Sequence, residues 1–86
     1  MRKIEFSKQA EKLLEKLYVS NKKQAGAIAK EVNNLQTNPM PSDVKKLKGY
    51  ELYRVRVGNY RVIYHFDETT IFVTIIDKRD VVYKNL

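Results

Sequence analysis

Arg54, Arg56 and Arg61 are the residues in this chain whose type and spacing point most directly to chemistry. They lie in the run L-Y-R-V-R-V-G-N-Y-R-V-I-Y-H-F, from Leu52 to Phe66. Arginine is a permanent cation whose planar fork of N–H donors matches a phosphate bidentately. Two alternating segments flank Gly58-Asn59, a pair suited to a two-residue hairpin turn because it tolerates positive φ. That turn places Val57 opposite Tyr60, Arg56 opposite Arg61, and Arg54 opposite Ile63. Tyr53, Val55, Val57, Tyr60, Val62 and Tyr64 then fill one face, and the three arginines share the other. Like charges directly opposed on a ladder cost roughly 0.2–1 kcal/mol. A sheet tolerates that cost when an anion is meant to sit there.

Other residues could join or oppose such a site. His65 has the face parity of the arginines and a reference pKa suited to proton transfer, but a strand histidine opposite Phe72 also serves as a packing residue. On a regular last strand, Lys78 falls on the arginine face and Arg79 on the core face, an assignment that a bend near Asp77 reverses. Tyr83 can anchor the C-terminal segment or present its phenol to the site. Lys45, Lys46 and Lys48 form a solvated cluster able to add attraction for phosphate.

The elements that must position these groups follow from periodicity. Residues 2–6 read as a short strand. Ser7 is a suitable N-cap for a helix carrying Ala10, Leu13, Leu14, Leu17 and Tyr18 on one stripe. Ser20 is expected to cap a second helix with Ala25, Ile28, Ala29, Val32 and Leu35 inward. Asn38-Pro39-Met40-Pro41 stops that helix, and residues 42–50 form a lysine-rich connector. The remainder reads as a three-stranded antiparallel meander. With Glu68-Thr69 as its second turn, Tyr64 faces Val73, Val62 faces Ile75, Arg61 faces Ile76, Ile63 faces Thr74 and His65 faces Phe72. The fold class is α+β, with an antiparallel helix hairpin packed on the apolar face of the meander. The arginine face is left to solvent or a ligand.

Composition narrows the function. The chain has 86 residues, enough for one domain spanning 1–86, and 43% are hydrophobic. No window approaches the ~20 apolar residues needed to span a bilayer, and the N-terminus lacks the apolar stretch of a signal peptide. A soluble, cytoplasmic protein without membrane partners is expected. There is no cysteine and a single histidine, so thiolate and multi-histidine metal sites are excluded and no cofactor is implied. A net charge of +7 suits a polyanionic partner. Seven of the 12 lysines lie in residues 1–43, interspersed with Glu5, Glu11, Glu15 and Glu31, as on solvated helix faces. Four of the five arginines stand at 54, 56, 61 and 79. The chain uses lysine for solubility and arginine for a site.

The K-K-L-K-G connector, the L-Y-R-V-R-V-G-N-Y-R-V-I-Y run and the late K-R-D-V-V-Y resemble the RelE/ParE toxin superfamily, and its RelE-like branch most closely, over essentially the whole chain. The resemblance implies the toxin of a type II toxin–antitoxin pair: a metal-independent messenger-RNA interferase that enters the ribosomal A site. Its implied partners are a RelB-like antitoxin, the mRNA and the 70S ribosome. Cleavage would proceed by attack of a 2′-hydroxyl on the adjacent phosphate. Arg56 and Arg61, with Arg79, would neutralise the charge on phosphorus. Tyr83 or Lys78 would take the proton, and Arg79 or Lys78 would return one to the leaving oxygen. Arg54 and Lys48, with Lys45 and Lys46, would bind the flanking RNA. Two departures from the family pattern concern proton transfer: some members have lysines where Arg54 and Arg56 stand, and many have glycine-histidine where this chain has Asp77-Lys78. A ParE-like DNA gyrase inhibitor and a non-catalytic RNA- or antitoxin-binding protein are the rival readings on the same fold.

Overall fold

Ser7 joins the first strand to the first helix and ties both to the last strand. Its Oγ accepts the Ala10 N–H at 3.1 Å and donates to the Thr74 carbonyl at 2.5 Å. The structure is a computed structural model, and it describes residues 1–47, 49 and 51–78. Strand β1 (Lys3–Phe6) leads into helix α1 (Lys8–Ser20) and helix α2 (Lys22–Leu35). Strands β2 (Lys45–Lys46), β3 (Tyr53–Val57), β4 (Tyr60–Phe66) and β5 (Thr70–Lys78) follow. They form one sheet in the order β1-β5-β4-β3-β2, with β1 parallel to β5 and the other pairs antiparallel. The connector read at 42–50 thus contributes a short edge strand.

The cap of α2 differs from the expected one. Asn21, not Ser20, accepts the Gln24 N–H at 3.1 Å. Ser20 remains in α1, where its hydroxyl turns back to the Lys16 carbonyl. One residue between the helices suffices because Asn21 serves both: its own N–H closes α1 on Leu17 at 2.7 Å. Asparagine and serine cap about equally well, so the place where the chain turns decides between the two adjacent candidates.

Ala10 and Leu17 of α1 and Ala25, Ile28, Val32 and Leu35 of α2 pack on Val55, Val62, Tyr64, Ile71, Val73 and Ile76. This is the helix-on-sheet core that the periodicity indicates. Tyr64 is fully buried within it, and its hydroxyl donates to the Pro39 carbonyl at 2.6 Å. Burial above all, with smaller contributions from Asp43, Tyr53 and Glu31, pushes its phenol well above the usual tyrosine range. The donor is thereby kept protonated.

The hairpin between β3 and β4 has the expected register: Val57 pairs with Tyr60, Arg56 with Arg61 and Arg54 with Ile63. Of the two turn residues Gly58 has positive φ, 61°, and Asn59 does not; no non-glycine residue does among those described. Glycine at the first central position is the pattern of a II′ turn rather than I′. Helix α2 holds this turn from below, since the Gln24 Nε2 donates to the Val57 carbonyl at 3.0 Å.

The second hairpin departs from the expected register halfway along. Phe66–Ile71, His65–Phe72 and Tyr64–Val73 pair as read, but Ile63 then pairs with Ile75, Val62 with Ile76 and Arg61 with Asp77. Thr74 is the extra residue of a β-bulge. It occupies no ladder position, and its hydroxyl donates to the Ile63 carbonyl at 3.0 Å. One extra residue moves every later side chain to the other face. Ile76 therefore enters the main core, and Ile75 joins Ile63 on the opposite side with Leu47 and Leu52. The arginine face is accordingly not all left to solvent. Among the described residues, no helix is long and apolar enough to cross a membrane.

Candidate functional site

Alternation along β3 and β4 places Arg54, Arg56 and Arg61 on the sheet face away from the helices. Arg54 and Arg56 are two residues apart on one strand, roughly 7 Å in projection. Arg61 stands directly across from Arg56, in the geometry where facing side chains approach most closely. The three differ in exposure: Arg56 is open to solvent, Arg54 is half-buried, and Arg61 is only 5% exposed. Arg56 and Arg61 line a depression of about 70 Å³ with Gly58, Asn59 and Tyr60. The tight turn thus forms the rim of a small basic hollow.

Short strand β2 extends the basic row. Lys45 pairs with Arg54 and shares its face, whereas Lys46 pairs with Tyr53 on the other. Lys46 instead forms an exposed ion pair with Glu51 at 3.6 Å, an interaction of small energetic value. Of the three lysines expected to act together, Lys45 stands beside the arginines, Lys46 does not, and Lys48 lies outside the described residues.

The bulge at Thr74 changes the other end of the site in two ways. It brings Asp77 onto the arginine face, opposite Arg61. The arginines therefore do have a carboxylate of the domain as a cross-strand neighbour, contrary to the regular register. A buried guanidinium is costly without compensating charge or hydrogen bonds, so an acid at this position suits the low exposure of Arg61. The bulge also moves Lys78 off the arginine face. Lys78 pairs with Tyr60 and lines a cleft on the helix side with Asn21 and Gln24. Arg79, Tyr83 and Lys48 lie outside the described residues. The doublet Ile75-Ile76 was the sequence signal for the bulge, because it breaks the alternation that V-T-I on a regular strand would continue.

His65 stacks on its cross-strand neighbour Phe72, with ring centroids 4.6 Å apart and planes 17° apart. That contact is the packing role, four ladder positions away from the Arg56–Arg61 pair. The arrangement as a whole can grip an extended polyanion along β2, β3 and β4, with its most enclosed cation at Arg61.

Comparison with known proteins agrees with this architecture. Residues 4–82 match the family described as the ParE toxin of the type II toxin–antitoxin system parDE. A protein of Methanocaldococcus jannaschii assigned the name toxin RelE1 is 39% identical over 88 residues, covering 95% of this chain and 94% of that protein. A chain in the crystal structure of the archaeal RelE–RelB complex from Pyrococcus horikoshii aligns with a TM-score of 0.74 and 30% identity, over 91% of this chain and 94% of that one. YoeB from Staphylococcus aureus, solved as a dimer, shares the fold with a TM-score of 0.80 at 21% identity, over 91% of this chain and 97% of that one. The match along nearly the full chain, on a fold built as the residues dictate, makes this protein a member of the RelE/ParE family of type II toxin–antitoxin toxins.

Proposed function

We propose that this toxin is an endoribonuclease that cuts messenger RNA in the ribosomal A site and so stops translation. The observation that carries the reading is the cross-strand pair Arg56–Arg61 with Arg54 and Lys45 on the same face. Such a row suits an RNA backbone better than a single small ligand. The reading is supported by the full-length similarity to the protein named toxin RelE1.

The reaction is an internal transfer. The 2′-hydroxyl oxygen bonds to the adjacent phosphorus as its proton leaves to a base. The bond from phosphorus to the 5′-oxygen breaks, and that oxygen takes up a proton. The products are a 2′,3′-cyclic phosphate and a 5′-hydroxyl. Arg56 and Arg61 neutralise charge on the non-bridging oxygens, which is where fixed donors lower a barrier most. Arg54, Lys45 and Lys48 hold the flanking phosphates. Tyr83 is the base, a role that requires cations beside it to acidify its phenol, and Arg79 is the donor to the leaving oxygen. Lys78, placed on the helix side, takes no part in proton transfer. The ribosome supplies the splayed codon geometry, and no metal is required. A RelB-like antitoxin, the partner seen with the Pyrococcus horikoshii relative, covers the basic face.

Primer extension on translating ribosomes tests this. Sharp stops inside A-site codons, with cyclic phosphate ends, are the expected result. The family match named for ParE favours one other reading, a DNA gyrase inhibitor. Loss of negative supercoiling with intact message would establish that reading instead.

A further inference from the structure

The basic hollow does not end at the hairpin turn. Asn59 and Tyr60 line it on one side, and on the other side they line a much larger open cleft of about 710 Å³. Ser20, Asn21, Gln24 and Lys78 complete the polar wall of that cleft. Its size is within the range of small-ligand sites, and its lining consists of amides, a hydroxyl, an aromatic ring, one cation and the apolar Leu17.

Two of those amides have fixed orientations. Gln24 must turn its Nε2 toward the Val57 carbonyl, 3.0 Å away, which leaves its Oε1 as an acceptor. Asn21 must turn its Oδ1 to the Gln24 N–H at 3.1 Å, which leaves its amino group as a donor. Asn59 is exposed, and its carboxamide makes no hydrogen bond among the described residues. The wall therefore offers a preset acceptor, a preset donor and one adaptable amide beside the Tyr60 ring. Amides next to an aromatic ring are the means by which proteins read unstacked bases of single-stranded RNA. Gly58 is suited to this junction: a Cβ there would lie 2.7 Å from the Gln24 Oε1.

We infer that the cleft between the helix turn and the β3–β4 turn is a nucleobase-binding site. It receives the base of a nucleotide whose phosphate lies on Arg56 and Arg61. Tyr60 supplies the stacking wall, Asn59, Asn21 and Gln24 read the base edge, and Lys78 attracts the next phosphate. This rests on the polynucleotide reading of the arginine face. It gives Lys78 a binding role on the side where the bulge puts it, and it makes Asn59 a specificity-determining residue.

The test is an NMR titration of the ¹⁵N-labelled chain. The ligands are a 2′-O-methyl RNA trinucleotide, which cannot be cut, and the same trinucleotide lacking its central base. With the complete trinucleotide, the side-chain amide signals of Asn59, Asn21 and Gln24 shift. With the abasic one they stay in place, while the Nε–H signals of Arg56 and Arg61 shift with both. Asn59→Ala weakens binding of the complete trinucleotide about fivefold, the worth of one hydrogen bond, and leaves the abasic one unchanged. Equal cleft shifts or equal affinities for the two ligands would overturn the inference while sparing the arginine face. Silence on both faces would overturn the polynucleotide reading and this inference with it.

Discussion

Asp77 stands directly across the β4–β5 ladder from Arg61. The most enclosed cation of the site thus faces a carboxylate of the same domain, placed there by a single bulged residue. A carboxylate at this position is expected to compete with RNA phosphate for the guanidinium. Asp77→Asn removes the charge and keeps the shape. It is expected to tighten binding of single-stranded RNA and to steepen the salt dependence of log K by about 0.7, the increment for one added phosphate contact. Fluorescence anisotropy across a salt series measures both, and an unchanged slope would show that Asp77 does not restrain the site.

Gly58 combines a left-handed backbone, φ 61°, with the close approach of Gln24. Alanine there adds backbone strain and displaces the amide that holds the turn to α2. A loss of about 1–2 kcal/mol is expected in urea unfolding. Gln24→Ala should cost about 1 kcal/mol through the lost bond to Val57, and less in the Gly58→Ala background, because the two share one contact.

Ser7 serves as N-cap and as tether to the bulge through the Thr74 carbonyl. Ser7→Ala removes both bonds, with an expected loss of about 1–2 kcal/mol. Ser7→Thr keeps a hydroxyl and should recover most of it. Thermal unfolding of the two variants distinguishes a lost hydrogen bond from a general packing change.

Tyr64 gives the chain a specific alkaline weakness. Burial raises its pKa in the folded state above the value of the unfolded chain. The protonated phenol is therefore favoured by folding, and its contribution is complete below the unfolded value of about 10 and is lost as pH rises from there through the folded value. Tyr64→Phe should lower stability at neutral pH by about 1 kcal/mol, through the bond to Pro39, and abolish the extra decline above pH ~10. Urea midpoints at a series of alkaline pH values check this.

Asp67 acts at the other end of the scale. Its carboxylate accepts the backbone N–H groups of Thr69 and Thr70, each at 2.8 Å. The Thr69 bond is the main cause holding its pKa below the usual carboxylate range. A depressed folded pKa gives stability that is present above the unfolded value and fades as pH falls through the folded one. Asp67→Ala should flatten the acid limb of the stability profile below pH ~4.

Much of this molecule was legible because local rules and global packing agree. The helical stripes, the Ser7 cap and the Arg56–Arg61 register each follow from spacing or from a turn that only certain residues allow. What escaped was the placement of Asp77, Lys78, Ile75 and Ile76, all downstream of one bulge. Strict alternation assumes one residue per ladder position, and Thr74 breaks that assumption, which the adjacent apolar pair Ile75-Ile76 signals only indirectly. Asn21 escaped because two good caps are adjacent and only the chain's turn chooses between them. The small cluster of Ile63 and Ile75 with Leu47 and Leu52 also escaped, because it joins residues far apart in the chain and has no local signature.

The central claim is that the arginine face neutralises the reacting phosphate. The most direct measurement is the single-turnover rate of message cleavage on programmed ribosomes for the native chain, Arg61→Ala and the exposed Arg56→Ala, with folding of each checked by circular dichroism. Loss of Arg61 should slow cleavage by about 10²–10³, the scale for removing one oxyanion donor, and loss of Arg56 should slow it as well. Cleavage by Arg61→Ala at the native rate would contradict the account.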